Sequence, residues 1–278
     1  MGYISELRKK VGHAPLMAPA ALAYAVITGA SSGIGVEFAK QLAAHGYNLI
    51  LVARRKERLI KTARYLSKKF KVKCTVLVKD LSKREECESL FEEIKDYDIE
   101  VFINNAGFGV FGAFADTALD SEMDMISVNV SAVHILTKKM VKYFGDKNKG
   151  YLLNVASSAG LLPAGPYMSA YYATKAYVVS LTKGIAEELR EENKNVYVGA
   201  LCPGPVETEF NSVAGVSFGS KGISAKECAK TAVDSMFKRK KIIVPGRILK
   251  LGTYAAKFVP ENLLLKFVSK FQKGKNRG

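Results

Sequence analysis

Short apolar runs alternate with amphipathic stretches along most of the chain. The apolar runs predict seven strands, at residues 24–28, 48–52, 72–78, 99–103, 151–156, 196–201 and 241–244. Helical spacing of apolar residues predicts helices at 33–45, 56–70, 83–97, 119–144, a long one ending near 192, and 225–237. Strands that alternate with helices form βαβ crossovers, which build a parallel sheet covered on both faces. The pattern therefore predicts a Rossmann-like, doubly wound α/β fold of about seven strands.

Two segments flank this pattern. Residues 1–23 show no strong period and are predicted to be an N-terminal extension, followed by one Rossmann-fold domain over 24–245. Residues 246–278 interleave apolar and basic positions, which predicts basic amphipathic helices separated near Pro260. The apolar stretch 14–27 resembles a signal peptide, but prolines interrupt it and its end is needed as a strand. We therefore expect no cleaved signal.

Composition and charge narrow the class of protein. Apolar residues make up 48% of the chain and charged residues 24%, as in ordinary globular enzymes. The net charge of +16 is concentrated, because residues 54–73 carry +9 and residues 238–278 carry +11. The rest of the chain therefore carries −4. Segments of this charge predict an anionic partner, with three alternatives: a phosphorylated ligand, a membrane surface or nucleic acid.

Cysteine and histidine positions do not indicate a metal site. The four cysteines are far apart without C-x-x-C spacing, and the three histidines have no ligand partner at useful spacing. We therefore expect no metal, and free thiols in a reducing cytoplasm. No apolar run reaches the roughly 20 residues that span a bilayer.

A glycine-rich turn follows the first predicted strand. Residues 28–35 read TGASSGIG and lead directly into the first helix. Gly29 permits a tight turn, while Gly33 and Gly35 let the backbone approach a ligand and pack against the strand. The helix N-terminus then offers unpaired N–H groups to a pyrophosphate. The spacing G-x-x-x-G-x-G differs from the commoner G-x-G-x-x-G, so its place between strand and helix is what predicts a dinucleotide site.

The end of the second strand indicates which dinucleotide binds. An NAD site places a carboxylate there for the ribose 2′-hydroxyl. This chain has Arg54 and Arg55 instead, with no acid in reach. Guanidinium groups pair with phosphate, so the sequence predicts NADP(H) as cofactor. The alternative, that both arginines form a solvated surface turn, stays open.

Further motifs follow in a fixed order. Residues 80–81 read DL after the third strand, 104–107 read NNAG after the fourth, and Asn129 lies in ISVNV. Residues 154–157 read NVAS, 171–175 read YYATK, and 203–208 read PGPVET. Together with TGASSGIG, these motifs resemble the short-chain dehydrogenase/reductases in their single-domain form, over roughly residues 24–245. The resemblance implies that a set of residues from these motifs binds the cofactor: Gly29, Ser31, Ser32, Gly33, Ile34, Gly35, Asp80, Leu81, Asn105, Ala106, Gly107, Tyr171, Lys175, Pro203, Gly204, Val206 and Thr208.

The resemblance also implies a catalytic set of Asn129, Ser157, Tyr171 and Lys175. Tyr171 and Lys175 lie one helical turn apart, and we expect the amine to lower the tyrosine pKa. Tyr171 then exchanges a proton with a carbonyl or alcohol oxygen that Ser157 orients. By resemblance, Lys175 also binds the nicotinamide ribose and Asn129 holds a water. Because the loop before Tyr171 is slightly longer than usual, Ser158 is an alternative to Ser157.

The resemblance implies an oxidoreductase that interconverts a carbonyl and a secondary alcohol. Six apolar residues near the motifs either line a substrate pocket or pack against the sheet: Phe108, Phe111, Phe114, Pro163, Tyr167 and Met168. As a pocket lining, they suggest a hydrophobic ketone such as a steroid, a 3-oxoacyl chain or a xenobiotic. Residues 209–224 suit a lid over the substrate, with an ordinary connecting loop as the alternative. We expect a homo-oligomer. A catalytically silent NADP(H)-binding sensor is the alternative, while nucleic-acid binding is not expected because no such module is present.

The basic tail has two interpretations. Residues 247–272 carry lysines interleaved with leucine, phenylalanine and isoleucine. Such helices lie in a membrane interface beside anionic lipid, which would make the cytoplasmic protein peripheral to a membrane. Alternatively, they cap the substrate pocket or form a subunit contact with the lysines outward.

Overall fold

The computed structural model describes residues 23–210 and 222–273. The predicted N-terminal extension, apart from its last residue, and most of the predicted lid lie outside these residues. Seven parallel strands form one sheet in the order β3-β2-β1-β4-β5-β6-β9. The strands are β1 (Tyr24–Thr28), β2 (Asn48–Ala53), β3 (Cys74–Val78), β4 (Ile99–Asn104), β5 (Gly150–Val155), β6 (Val196–Leu201), β7 (Val206–Glu207), β8 (Ile223–Ser224) and β9 (Ile242–Ile243).

The helices follow the strands as the sequence pattern predicts. They are α1 (Gly33–Ala44), α2 (Lys56–Phe70), α3 (Arg84–Ile94), α4 (Leu119–Ile126), α5 (Val133–Lys147), α6 (Ser169–Glu191), α7 (Ala225–Phe237), α8 (Arg247–Ala255) and α9 (Glu261–Lys273). Two 3₁₀ turns cover Ser158–Leu161 and Ala256–Phe258. The Rossmann-like doubly wound architecture is confirmed, and its strand order reverses between β1 and β4, where such folds bind ligands.

Both faces of the sheet are buried, which explains the continuous apolar strands. In β1, Ile27 faces a cluster with Phe38 and Leu42 of α1, while its neighbour Val26 faces the opposite cluster with Leu90 of α3. Successive strand residues point to opposite faces, so a strand covered by helices on both sides needs apolar residues at every position. This packing holds the carboxyl ends of β1, β4, β5 and β6 together at one edge.

Two features differ from the sequence prediction. The predicted helix 119–144 is interrupted by a π-helical turn at Ser127–Ala132. The short strands β7 and β8 pair in a separate two-stranded parallel sheet that the pattern did not predict. The π-helical turn was missed because a single wider turn changes the spacing of apolar residues over too short a length to detect. The strands β7 and β8 were missed because two residues are too few to show a period.

The C-terminal segment forms the predicted helices α8 and α9. Helix α9 packs against α6, since Val268 belongs to the apolar cluster of Tyr171 and Gln272 Nε2 donates a hydrogen bond to Tyr172 Oη at 2.7 Å. The domain boundary at 245/246 stays a prediction. None of the helices in the described part of the chain has the length and apolar character needed to cross a bilayer.

Candidate active site

The glycine turn between β1 and α1 forms a cradle without side chains. Gly29 and Gly33 have φ values of +67° and +54°, in the left-handed region that favours glycine. A Cβ on Gly35 would overlap the carbonyl oxygen of Gly29, and a Cβ on Gly33 would lie 3.2 Å from the Thr208 side chain. The Ile34 side chain is partly buried and packs against the core. The turn therefore has the backbone access that a pyrophosphate at the N-terminus of α1 requires.

The segment after β4 is fastened to this turn. The backbone N–H groups of Asn105 and Ala106 donate to Thr28 Oγ1 at 2.9 and 3.0 Å, and Asn105 Nδ2 donates to Thr28 O at 2.9 Å. A Cβ on Gly107 would lie 2.8 Å from Asn129 Oδ1 and 3.2 Å from Lys175 Nζ. These contacts bring the NNAG segment between the glycine turn and the predicted catalytic residues.

One guanidinium group lies beside the serines of the glycine turn, and a second shares its carboxylate partner. Arg55 donates to Ser31 Oγ at 3.1 Å and to Ser32 Oγ at 2.6 Å. Arg55 and Arg58 both donate to the Glu209 carboxylate, at 2.8 and 2.6 Å, and these hydrogen bonds lower the pKa of Glu209. The cluster binds an anionic group already, so its donors suit a ribose 2′-phosphate.

The predicted adenine-side residues follow β3. Burial raises the pKa of Asp80, but hydrogen bonds from Ser82 and the charge of Arg54 outweigh it, so the pKa lies below the usual value. The Asp80 carboxylate accepts from the Ser82 N–H and hydroxyl at 3.2 and 2.9 Å. Leu81 is buried in the core. Arg54 therefore lies on the Asp80 side of the site, whereas Arg55 faces the serines.

Ser157, Tyr171 and Lys175 meet at the ends of β5 and α6. Tyr171 and Lys175 are buried, and the Lys175 ammonium lies 5.8 Å from the centre of the Tyr171 ring. Lys175 Nζ donates to Val155 O at 3.1 Å. Ser157 makes a side-chain hydrogen bond with Tyr171, and its Oγ also accepts from the Ala159 N–H at 3.1 Å. The three polar groups therefore converge where the sequence predicts proton transfer.

Burial governs the protonation of this group. It raises the pKa of Tyr171 to about 12, although the hydrogen bond with Ser157 lowers it, and it lowers the pKa of Lys175 to about 8. The expectation that Lys175 brings the tyrosine pKa below its ordinary value was wrong for the protein alone. Desolvation of the phenolate is the larger effect, because Tyr171 lies inside the apolar cluster with Met125 and Met168.

Asn129 is fully buried in the π-helical turn. Its Nδ2 donates to Phe108 O at 2.8 Å and to Thr174 Oγ1 at 3.1 Å, while its Oδ1 accepts from the Phe108 N–H at 3.1 Å. The amide is therefore used in holding the NNAG segment against α6. Wider turns of this kind recur at functional sites.

The segment after β6 forms the side of the site opposite the NNAG segment. Pro203 O accepts from the Ser158 N–H at 2.8 Å, and Val206 is buried in β7. A Cβ on Gly204 would lie 2.8 Å from Leu249 Cδ2, so α8 packs on this loop. Thr208 faces Gly33 of the cofactor turn, as described above. The structure thus brings the predicted cofactor residues from both halves of the sheet to one edge.

Sequence reasoning missed three side chains that contact this site. Arg58 lies three residues after Arg55 on α2, Glu209 follows Thr208, and Gln272 contacts Tyr172 from α9. Arg58 was detectable as an i, i+3 neighbour of Arg55. No signal in the sequence connects Glu209 or Gln272 to residues roughly 100 or more positions away.

The doubly wound sheet, the glycine cradle and the buried Tyr–Lys pair define a class of nucleotide-dependent oxidoreductases. The family model described as short chain dehydrogenase matches residues 23–217. The chain belongs to this family.

Several known proteins are similar to this chain. Hydroxysteroid dehydrogenase-like protein 1 of Gallus gallus is 32% identical over 220 residues, covering 77% of this chain and 65% of that protein. The very-long-chain 3-oxoacyl-CoA reductase of Anas platyrhynchos is 31% identical over 207 residues, covering 73% and 65%. The inactive hydroxysteroid dehydrogenase-like protein 1 of Rattus norvegicus is 30% identical over 183 residues, covering 65% and 54%. The chain thus spans less than two thirds of these relatives' lengths.

A solved structure has the same architecture. The short-chain dehydrogenase from Sphingobium yanoikuyae in complex with NADPH is 29% identical, with a TM-score of 0.79. The alignment covers 87% of this chain and 95% of that one. The similarity therefore extends over nearly the whole of the described structure.

Proposed function

We propose that this protein is an NADP(H)-dependent oxidoreductase that interconverts a carbonyl and a secondary alcohol. The observation that carries the proposal is the buried contact of Ser157 with Tyr171, one turn before Lys175, at the sheet edge that holds the glycine cradle. The nicotinamide supplies the hydride.

The chain's own residues provide the proton chemistry. With a pKa near 12, Tyr171 is a neutral phenol at physiological pH, the form that donates a proton to a carbonyl oxygen. Ser157 donates to the same oxygen and fixes its position, and Lys175 holds a positive charge beside the ring. Carbonyl reduction therefore suits neutral pH, and alcohol oxidation requires loss of the tyrosine proton and accelerates as pH rises.

NADP(H) is the proposed cofactor because of Arg55 and Arg58. Arg55 donates to the serines that lead into α1, and Arg58 shares the Glu209 carboxylate with Arg55. A ribose 2′-phosphate carries a charge that NAD(H) lacks, and these two guanidinium groups are suited to pair with it. The similar Sphingobium structure holds NADPH. Arg55→Leu is expected to weaken NADPH binding at least about tenfold while leaving NADH binding nearly unchanged. Equal weakening of both cofactors, measured by fluorescence titration, would contradict this preference.

A hydrophobic ketone is the proposed substrate. Phe108, Phe111 and Met168 pack around Tyr171 with the apolar side of α9. The similar reductases act, by name, on very-long-chain 3-oxoacyl-CoA, and other relatives are named for hydroxysteroids. We propose that the substrate is an acyl or steroid-like ketone. The four free thiols are consistent with a cytoplasmic location, which we also propose. The proposed homo-oligomer is tested by sedimentation.

The direct test is reduction of a panel of ketones with NADPH, followed by absorbance. Tyr171→Phe removes the donated proton and is expected to lower kcat by at least about a hundredfold while NADPH still binds. Tyr177→Phe, on the same helix α6, is the matched control and is expected to stay active. A rat relative is named as inactive, which favours a silent nucleotide sensor as the second candidate. NADPH binding without single-turnover reduction of any ketone would support that candidate.

A further inference from the structure

Helices α8 and α9 expose a row of large apolar side chains. We call this the outer face, formed by Ile248, Leu251, Tyr254, Phe258, Leu263 and Phe267. Ile248 is 90% exposed and Phe258 76%. The first four side chains share one stripe, and Leu263 and Phe267 are one turn apart. Contiguous exposed apolar surface of this kind marks an interaction site.

The inner faces of the same helices already meet the protein. Leu249 packs on Gly204, and Thr253 is buried. In α9, Leu264 and Val268 join the apolar cluster of Tyr171, and Gln272 bonds to Tyr172. The buried side thus includes the polar residues Thr253 and Gln272 beside leucine and valine, while the exposed side carries large apolar side chains. Because α8 and α9 are anchored by their inner faces, the outer face remains outside the packed core of the described structure.

Basic side chains surround the outer face. Glu261 is the one acidic residue of these two helices. Five exposed lysines lie on or beside them: Lys250, Lys257, Lys266, Lys270 and Lys273. Within residues 23–210 and 222–273, no salt bridge joins any of these lysines to a carboxylate. Lys257 lies over the Tyr254 ring at 5.6 Å. The surface therefore combines free positive charge with exposed apolar area.

We propose that the outer face binds the surface of an anionic lipid bilayer. Lipid headgroups satisfy the lysines while the upper acyl region accepts the phenylalanine and leucine side chains. A second copy of the chain would place these lysines near their symmetry mates, with little acid to offset them. Nucleic acid would leave the apolar stripe unburied. The bilayer is the occupant that accommodates both features.

Membrane contact would also bring the site close to lipid. The opposite side of α9 contacts Tyr172, the neighbour of Tyr171. If the proposed function holds, a hydrophobic ketone would then reach Tyr171 from the membrane side of the protein. The binding test below uses neither cofactor nor substrate, so failure of the proposed function leaves its result interpretable.

The test is co-sedimentation of the full chain with vesicles. Vesicles of phosphatidylcholine mixed with phosphatidylglycerol are compared with phosphatidylcholine alone, at low and high salt. We expect binding to the mixed vesicles, at least about tenfold weaker to neutral vesicles and weakened by salt. Equal binding to both vesicle types, or none to the mixed vesicles, overturns the proposal.

Matched variants separate the outer face from general charge. Two triple variants are each expected to bind the mixed vesicles at least about tenfold more weakly. The apolar variant combines Ile248→Ser, Phe258→Ser and Phe267→Ser. The charge variant combines Lys250→Glu, Lys266→Glu and Lys270→Glu. Two controls are expected to bind like the unaltered chain: Lys61→Glu with Arg64→Glu and Lys68→Glu on α2, and Tyr65→Ser with Leu119→Ser and Met123→Ser. Circular dichroism checks that each variant folds.

Two results would contradict the assignment to lipid. If the α2 control weakens binding as much as the charge variant on α8 and α9, the attraction is a property of net charge alone. If sedimentation equilibrium shows that the apolar variant converts a dimer to a monomer while the unaltered chain ignores vesicles, the outer face is a subunit interface.

Discussion

Burial acts in opposite directions on the two ionisable side chains at the centre of the site. It keeps Tyr171 protonated and works against the charge of Lys175, because each group is more stable in its neutral form away from water. The neutral tyrosine is the form that the proposed reduction uses. The charged lysine, in contrast, is maintained at a cost in folding stability.

This cost predicts a pH-dependent gain in the Lys175→Met variant. The pKa of Lys175 is about 8 in the folded protein, against an ordinary value of 10.5 in the unfolded chain. Between these two pH values the unfolded chain binds more protons than the folded protein, so the stability of the unaltered protein rises with pH. Below about pH 8 the variant is expected to be more stable, by up to roughly 3 kcal/mol, and the difference shrinks toward pH 10.5. Urea unfolding at both ends of this window measures it.

Lys183→Met is the control for this prediction, because Lys183 is exposed on the same helix α6. It is expected to change stability little, and equally at both pH values. A Lys175→Met variant that is less stable than the unaltered chain at neutral pH would show that the bond from Lys175 to Val155 O outweighs desolvation.

The two neighbouring serines are expected to differ in effect. Ser157 contacts Tyr171, whereas the described contact of Ser158 is its backbone N–H to Pro203 O. Ser157→Ala is expected to lower kcat by about a hundredfold, and Ser158→Ala by no more than a few-fold. Because Ser157 also caps the following 3₁₀ turn, its loss costs about 1 kcal/mol as well. Steady-state kinetics beside thermal unfolding separates the two effects, and the reverse ranking would identify Ser158.

Contacts between elements place a carboxylate where the cofactor phosphate is proposed to bind. Glu209, just after β7, reaches Arg55 and Arg58 at the start of α2, with all three side chains about half exposed. Glu209→Gln removes this competing anion, so NADPH is expected to bind a few-fold more tightly at low salt. NADH binding serves as the control and should not change. Weaker NADPH binding would instead mean that Glu209 positions the arginines.

A second contact between elements joins α9 to α6 through Tyr172 and Gln272. The Gln272 Oε1 atom is buried and has no hydrogen-bond partner among the described residues. Removing one partner leaves the other unsatisfied, whereas replacing both with apolar groups is nearly neutral. Tyr172→Phe and Gln272→Met are each expected to destabilise, and the double variant to recover about 1 kcal/mol. Additive losses in urea unfolding would argue against the bond.

At the element scale, sequence patterns predicted most helices and strands to within a few residues. Apolar period determines these elements because both faces of the sheet demand it. The π-helical turn at Ser127–Ala132 and the pairing of β7 with β8 were not predictable, since neither changes the local apolar period. The glycine turn and the Tyr–Lys pair were predictable because their chemistry depends on short spacings. The Glu209 contact was not, because it depends on how distant loops meet.

For the whole molecule, the uneven charge distribution separates two roles. The basic segment around α2 lies beside the glycine cradle, and the exposed lysines of α8 and α9 surround the outer face. The sequence predicted both segments but not which side of the tail faces the protein. In α9 two apolar stripes lie next to each other, Leu263 with Phe267 and Leu264 with Val268, so periodicity alone could not choose the buried one.

Those two stripes in α9 are offset by a single residue, or about 100° of rotation. One residue inserted just ahead of Leu263 would turn the helix by that angle and place Phe267, instead of Val268, in the apolar cluster beside Tyr172. The wall of the site and the exposed surface would then change together. A one-residue insertion in the first turn of α9 is therefore an evolutionary route by which a small change in gene length could alter the proposed substrate choice and surface attachment at once.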